Sequence, residues 1–414
     1  MRFLERDIDK NLIFCNYFPA IRHQRKDRLM KKWILLLLMS CLCVVVAACG
    51  DPAGDPDDDA TASESSALSA DPKLGAFTAR PPHHIRHNAT TAPTGLSPAQ
   101  IRAVYGLPSS GGTGTIAIID AYDDPTAEND LKVFSAKFGL PTCTTANGCF
   151  QKVKMASRLK VDGGWALEIS LDVQWAHAIA PNAKILLVEA RSAGGNDLLA
   201  AVDYACSRPD VVAGSMSWGG AEFSSQTAYD GHFACANSAP LFASSGDNGT
   251  GPEWPSISPN VIAVGGTSLA FNADGSLAAE TAWSGSGGGI SLYTPVPTYQ
   301  STYGLLGAMR QVPDVSYNAD PASGFSVYDS TSYNGQKGWF KVGGTSAGAP
   351  QWAAIRALGL TATNSAFYTD AAASYAAHFR DVASGTNGAC GAVCTAGPGY
   401  DTVTGLGSPV TTAF

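Results

Sequence analysis

The chain has 414 residues, of which 45% are hydrophobic and only 15% charged. That charged share is well under the usual quarter, and with 44 glycines it describes a loop-rich globular protein with room for a sizeable core, not a disordered or fibrous chain. A formal charge of −8 offers nothing to a nucleic acid, so no nucleic-acid partner is expected.

Residues 1–29 precede a second start-like methionine and read as a doubtful extension from a mis-assigned start. In residues 30–48, Met30-Lys31-Lys32 leads into an apolar run from Trp33 to Ala48, the layout of an export signal. The run is too short for a spanning helix and ends in small residues. Val46-Ala47-Ala48-Cys49 resembles a bacterial lipobox, which implies lipid on Cys49 and an extracytoplasmic lipoprotein on the outer membrane or surface of a bacterium. Without residues 1–48 the chain keeps 18 basic and 31 acidic groups, a formal charge of −13. So few basic groups limit self-repulsion at low pH, and acid tolerance is expected. Residues 49–91 are rich in Asp, Ala, Ser and Pro and show no period. They read as a flexible tether, with His83, His84 and His87 solvated rather than metal-bound.

From Leu96-Ser97-Pro98 onward, short β-branched runs alternate with Ala-rich helical stretches. Strands are expected at Thr115 to Asp120, Lys184 to Glu189, Val211 to Trp218, Leu241 to Ser245 and Val261 to Val264, with an amphipathic helix at Asp197 to Cys206. This alternation predicts one α/β domain over 92–414 whose mostly parallel sheet binds its ligand beyond the strands' carboxyl ends. Six cysteines fall in it, and an even count beyond an export signal favours disulfides. Of fifteen connectivities, neighbour pairing (Cys143/Cys149, Cys206/Cys235, Cys390/Cys394) is preferred.

Three motifs carry chemistry. Trp165 to Trp175 is apolar on most sides and reads as a buried helix, with Glu168 and Asp172 four apart on one face. Two like charges there are costly, so the pair must share a proton or bind something. Ser244-Ser245-Gly246-Asp247 closes an apolar strand, where a protonated Asp247 can donate to an oxyanion or merely cap a turn. Gly343 to Pro350 precedes a buried helix at Gln351 to Leu360, and Ser346 is expected to start it, where free amides favour negative charge on oxygen.

Together these motifs resemble the sedolisin (serine-carboxyl peptidase) family over nearly all of 92–414. The likeness includes Ile119-Asp120-Ala121-Tyr122, Ser217-Trp218-Gly219, Trp254-Pro255-Ser256, Ser286 to Gly289 and Val312-Pro313-Asp314-Val315. The resemblance implies a subtilisin-like three-layer α/β fold and acid-active cleavage of protein or peptide substrates. It makes Ser346 the nucleophile, Glu168 the general base, Asp172 its partner and Asp247 the oxyanion donor, with Ser217, Trp218 and Gly219 pairing with substrate backbone. It also implies a structural Ca²⁺ held by side chains of Asp381 and Asp401 and carbonyls of Val382, Gly397 and Gly399, a ligand set made of oxygens. A monomer is expected.

A histidine-dependent subtilisin is the nearest rival, since Asp120 ends a strand where that relative has its acid, but a matching histidine is missing. A catalytically inactive surface lipoprotein acting as a binding module is the alternative from another class. Family members usually carry a long propeptide, and the segment before residue 92 is too short for one, which leaves maturation open.

Overall fold

The computed structural model describes residues 72–410. The doubtful extension, the signal and the lipidation position Cys49 lie outside them.

The sequence period builds a sheet covered on both faces. Strand β1, Thr115–Ala121, is buried at every position. Ile116 and Ile118 join one apolar layer, and Ala117 and Ile119 the other, as alternating side chains must. The remaining sheet strands are β2 (Phe150–Lys154), β3 (Lys184–Ala190), β4 (Val211–Met216), β5 (Leu241–Ser244), β6 (Val261–Phe271), β7 (Leu277–Ala282) and β8 (Val315–Asn318). Their order is β7-β6-β5-β4-β1-β3-β2, with β8 also paired to β6, and only the β7–β6 pair is antiparallel.

Helices cover the two faces. α1 (Pro98–Tyr105) starts at a Ser97/Gln100 capping box, and α2 (Ala127–Phe138) follows β1. α3 (Gly163–Ile179) is capped by Asp162, which accepts from the amides of Gly164 and Trp165. Every side chain from Trp165 to Ile179 is buried. α4 (Gly195–Ser207) packs Leu198, Leu199 and Val202 on the opposite face from α3 and from α5 (Gly348–Ala357). An antiparallel hairpin, β9 (Phe325–Tyr333) and β10 (Gln336–Gly343), lies over α3. Gln174 Nε2 donates to the Tyr328 carbonyl at 2.6 Å and Trp175 Nε1 to that of Ser326 at 3.0 Å. The hairpin runs straight into the Ser346 turn, so the sheet, α3 and that turn are mutually fixed.

The five expected strands and the α4 helix are present, which makes the mostly parallel α/β architecture plain. Val261 to Val264 is the short part of an eleven-residue strand whose second half pairs with β7. The β9–β10 hairpin and β2 had no clear period. The three neighbouring cysteine pairs are disulfides.

The tether reading needs changing from residue 72 on. Leu74, Phe77 and Ala79 are buried, and Phe77 stands edge-on to Trp254 at 4.8 Å. His84–Ile85 pairs antiparallel with Val342 and Gly343 of β10. A Pro- and His-rich composition hid this because the contacts that seat the segment on the domain are with residues distant in sequence.

Candidate active site

Four acidic side chains and one serine converge at the carboxyl ends of β1, β4 and β5, where an open parallel sheet places its ligands. α3 brings Glu168 and Asp172 together on one face, both fully buried. Glu168 has the Ser346 hydroxyl and Asp172 as near neighbours, while that hydroxyl itself donates to the Pro82 carbonyl at 2.8 Å and His83 Nδ1 lies 2.7 Å from Glu168 Oε2. Asp172 in turn neighbours Ser217 and accepts from Ser215 Oγ at 3.5 Å. Burial is the main force holding the Glu168 and Asp172 carboxyls above the usual range. For Asp172 the neighbouring Glu168 charge adds to it, while for Glu168 the nearby Ser346 hydroxyl and Asp172 oppose it.

Asp120, at the end of β1, completes this group. It is fully buried, neither carboxyl oxygen has a hydrogen-bond partner among the described residues, and its pKa is raised by burial first and then by Asp172, Glu168 and Glu189. The sequence singled Asp120 out only as the acid of a histidine-dependent rival. Its membership in the carboxyl cluster depends on β1 lying beside α3.

Ser346 sits in a 3₁₀ turn, Thr345–Ala347, just before α5, instead of opening the helix itself. Gly344 makes the turn with φ +131°, and a Cβ there would come within 2.2 Å of the Pro82 carbonyl oxygen and 2.6 Å of Asp247 Oδ2. Only glycine fits that gap. Asp247 Oδ1 accepts from the Thr345 amide and hydroxyl, each at 2.8 Å. Its Oδ2 is buried without a hydrogen bond, and burial raises its pKa well above a carboxylate's. Burial thus favours the neutral form of this carboxyl, whose Oδ2 lies beside Gly344.

Of the three residues expected to pair with substrate backbone, Gly219 does present its backbone to the cleft. It exchanges hydrogen bonds with Arg80 of the same chain at 3.0 and 3.2 Å. Ser217 and Trp218 instead anchor the strand end, through Ser217 Oγ to the Ser346 carbonyl at 3.1 Å and Trp218 Nε1 to that of Ile119 at 2.8 Å. His177 lies over two turns along α3 from Glu168 and bonds the Pro141 carbonyl at 2.8 Å, a structural role.

Residues 162–383, more than half of the chain, match the subtilase family, peptidase S8. Kumamolisin of Bacillus sp. (strain MN-32) is 31% identical over 80% of this chain and 67% of its own length. The chain belongs to the sedolisin family. Sedolisin of Pseudomonas sp. (strain 101) is 28% identical over 78% of this chain and 59% of its own length, so the chain spans about three-fifths to two-thirds of these curated relatives. A solved structure of Pseudomonas sedolisin, a serine-carboxyl proteinase complexed with two molecules of pseudo-iodotyrostatin, superposes with a TM-score of 0.67 at 27% identity, covering 77% of this chain and 96% of that one. The subtilisin-like fold of the family is the fold described above.

Behind the sedolisin-type site, Asp124, Asp130 and Asp329 bring carboxyl oxygens within 4.8 Å of one another. Asp329 Oδ1 accepts from the Thr331 amide at 2.7 Å while its Oδ2 is buried without a partner. Burial first, then Asp124, push this carboxyl up to about 8. An acid whose folded pKa lies above its unfolded value stabilises the fold when protonated; that stability is fully present below the unfolded value of about 4 and drains away as pH rises from there to about 8. Asp329→Asn keeps the acceptor for Thr331 and removes the charge. It is expected to raise Tm by several degrees at pH 8 and to leave it nearly unchanged at about pH 3.5, as read by thermal unfolding at the two pH values.

Proposed function

We propose that this chain is an acid-active serine-carboxyl endopeptidase in which Ser346, Glu168, Asp172 and Asp247 act as one unit. The observation that supports it most is the convergence of Ser346 and Asp172 on fully buried Glu168, with the two carboxyls on one face of α3. Serine attacks a peptide carbonyl only if a neighbour takes its proton, and the same neighbour must then protonate the leaving amine. Glu168 is placed for both steps. Asp172 shares the proton load, so the pair titrates as a unit.

As Ser346 Oγ bonds to the carbonyl carbon, the oxygen becomes an oxyanion, and a protonated Asp247 Oδ2 donates to it, a role that a carboxylic acid fills only when kept neutral. Collapse of the tetrahedral species breaks the C–N bond and the amine leaves with the proton from Glu168. Water then repeats the sequence on the acyl-enzyme. Extended substrate backbone pairs with Gly219. Because Asp247 must keep its proton, hydrolysis of a diverse peptide library across pH 3 to 8 is expected to peak on the acid side, and a maximum at neutral pH or above would contradict the assignment.

The C-terminal loops have a donor set suited to a hard cation. Asp381 Oδ2 accepts from the Gly399 amide at 3.1 Å and Asp401 Oδ2 from the Gly397 amide at 3.0 Å, which draws both carboxylates to one loop. The Gly397 and Gly399 carbonyls accept no hydrogen bond among the described residues, and that of Val382 only a 3.5 Å contact from Thr404. These five oxygens, completed by water, fit Ca²⁺, whose part would be to pin the loop. Chelation with EGTA is expected to lower Tm, and an unchanged Tm would argue against the ion.

The signal-like run and Cys49 support export and lipid attachment to a bacterial membrane, and a single folded unit acting as a monomer fits them. Metabolic labelling with a fatty-acid analogue, compared with Cys49→Ser, tests the anchor.

A further inference from the structure

Asp247 projects from the loop after β5, and Thr345 grips it from the serine side. Asp247 Oδ1 accepts from the Thr345 amide, and the Gly246 amide donates to the Thr345 hydroxyl at 3.2 Å. The opposite side of that loop is held from elsewhere in the chain. Before Asp247, the Gly246 carbonyl accepts from the Gly287 amide at 2.7 Å, and after it the Thr250 amide donates to the Asn387 carbonyl at 2.8 Å. Asn387 reaches the first of these points as well, because its Nδ2 donates to the Ser286 carbonyl at 2.8 Å. One residue therefore braces the loop on both sides of Asp247. The approach is backbone against backbone, since a Cβ on Gly249, whose φ is +75°, would stand 2.6 Å from the Asn387 oxygen. No side chain cushions that contact, so a shift of Asn387 is passed on to Asp247.

What holds Asn387 is not a core. In residues 383–396 only Asn387, Cys394 and Ala396 are buried, and the apolar cluster beneath them is Ala282, Ala396 and Val403. Burial that slight does not offset the entropy of ordering a loop of this length. The Cys390–Cys394 disulfide supplies the missing constraint. It closes a ring around residues 391–393, and the Cys394 carbonyl accepts from the Asn387 amide at 3.0 Å. The ring also packs on the oxyanion loop itself. The Thr250 hydroxyl reaches Cys390 Sγ at 3.6 Å, and a Cβ on Gly388 would lie 3.1 Å from both Cys394 Sγ and Thr250 Cγ2.

We propose that Asn387, clipped in place by the Cys390–Cys394 disulfide, is a positioning residue for catalysis that fixes the backbone from which Asp247 meets the oxyanion. It acts through Asp247 and not on Ser346 or the substrate. Its effect belongs to the transition state, because the oxyanion forms only there. Misplacing a donor forfeits part of the roughly 10²- to 10³-fold that removing it costs, so a loss of roughly tenfold in kcat is expected.

The inference rests on the reading of Asp247 as the oxyanion donor, so the experiment separates the two. Full-length Asn387→Ala, the pair Cys390→Ala with Cys394→Ala, and Asp247→Ala are compared with the parent at pH 4, well below their unfolding midpoints. On a quenched-fluorescent peptide the first two are expected to lose about tenfold in kcat. A peptide aldehyde of the same sequence should bind them about tenfold more weakly, because its affinity comes from the tetrahedral adduct with Ser346. Added to Asp247→Ala, either change should cost less than about twofold more, since both routes act on the same donor. A raised KM at unchanged kcat, or a full tenfold further loss in the Asp247→Ala chain, overturns the proposal. Hydrogen exchange at pH 7 gives a readout free of catalysis, in which the amides of residues 249–251 should exchange about tenfold faster or more in the first two variants while β3 is unchanged. Equal exchange at 249–251 in parent and variants overturns the proposal too. Faster exchange there, with full turnover by Asp247→Ala, would leave the brace standing and sink the oxyanion reading instead.

Discussion

Ser346→Ala is expected to lower peptide hydrolysis at pH 4 by roughly 10⁴-fold to 10⁶-fold, with Tm within a degree or two of the parent. The scale follows from serine peptidases in which the nucleophile is removed while the oxyanion donors remain. Folding is spared because Ala347, Ala349 and Trp352, not the Ser346 hydroxyl, seat this turn in the core. Asp247→Ala makes a graded companion, with an expected cost of roughly 10² to 10³ in turnover for one lost oxyanion donor. Turnover retained in Ser346→Ala would remove the serine from the chemistry altogether.

The largest stability effect is expected at Arg310. This side chain is fully buried and makes a bidentate pair with Asp314, at 2.7 and 3.3 Å, which also accepts from the Ala263 amide and the Tyr368 hydroxyl. Arg310 further donates to the Val261 carbonyl at 3.0 Å and to the Tyr299 hydroxyl. Removing one member of a buried pair strands the other's charge, so Arg310→Ala should cost about 3–5 kcal/mol and lower Tm by on the order of 10 °C. Adding Asp314→Asn should recover part of that loss, since the stranded charge is its main source. A double variant no more stable than Arg310→Ala alone would show that lost packing dominates.

The two experiments separate what the chain writes locally from what it writes across the fold. Glu168 and Asp172 were legible as a pair because four residues on a helix is a fixed geometry, and the apolar run around them announced burial. Ser346 was legible from its glycines and the apolar helix after it. The parallel strands were legible because their runs are short, β-branched and stopped by Gly, Asp or Ser. Arg310 was not, since nothing next to it in sequence tells that its guanidinium is enclosed by Val261, Tyr299 and Asp314.

The same division holds at the site. By itself the sequence determined the α/β class and marked out the paired cysteines, the Glu168/Asp172 pair, Ser346 and Asp247 as candidates, because each lies in a local pattern, while the roles given to them came from the resemblance of the whole ordered set. Only the tertiary structure decided that Asp120 joins the pair and that His83 meets Glu168 across 85 residues and Pro82 meets Ser346 across 264. A linker-like composition carries no sign of its docking site, because the groups that order it belong to the walls of the cleft and not to the segment.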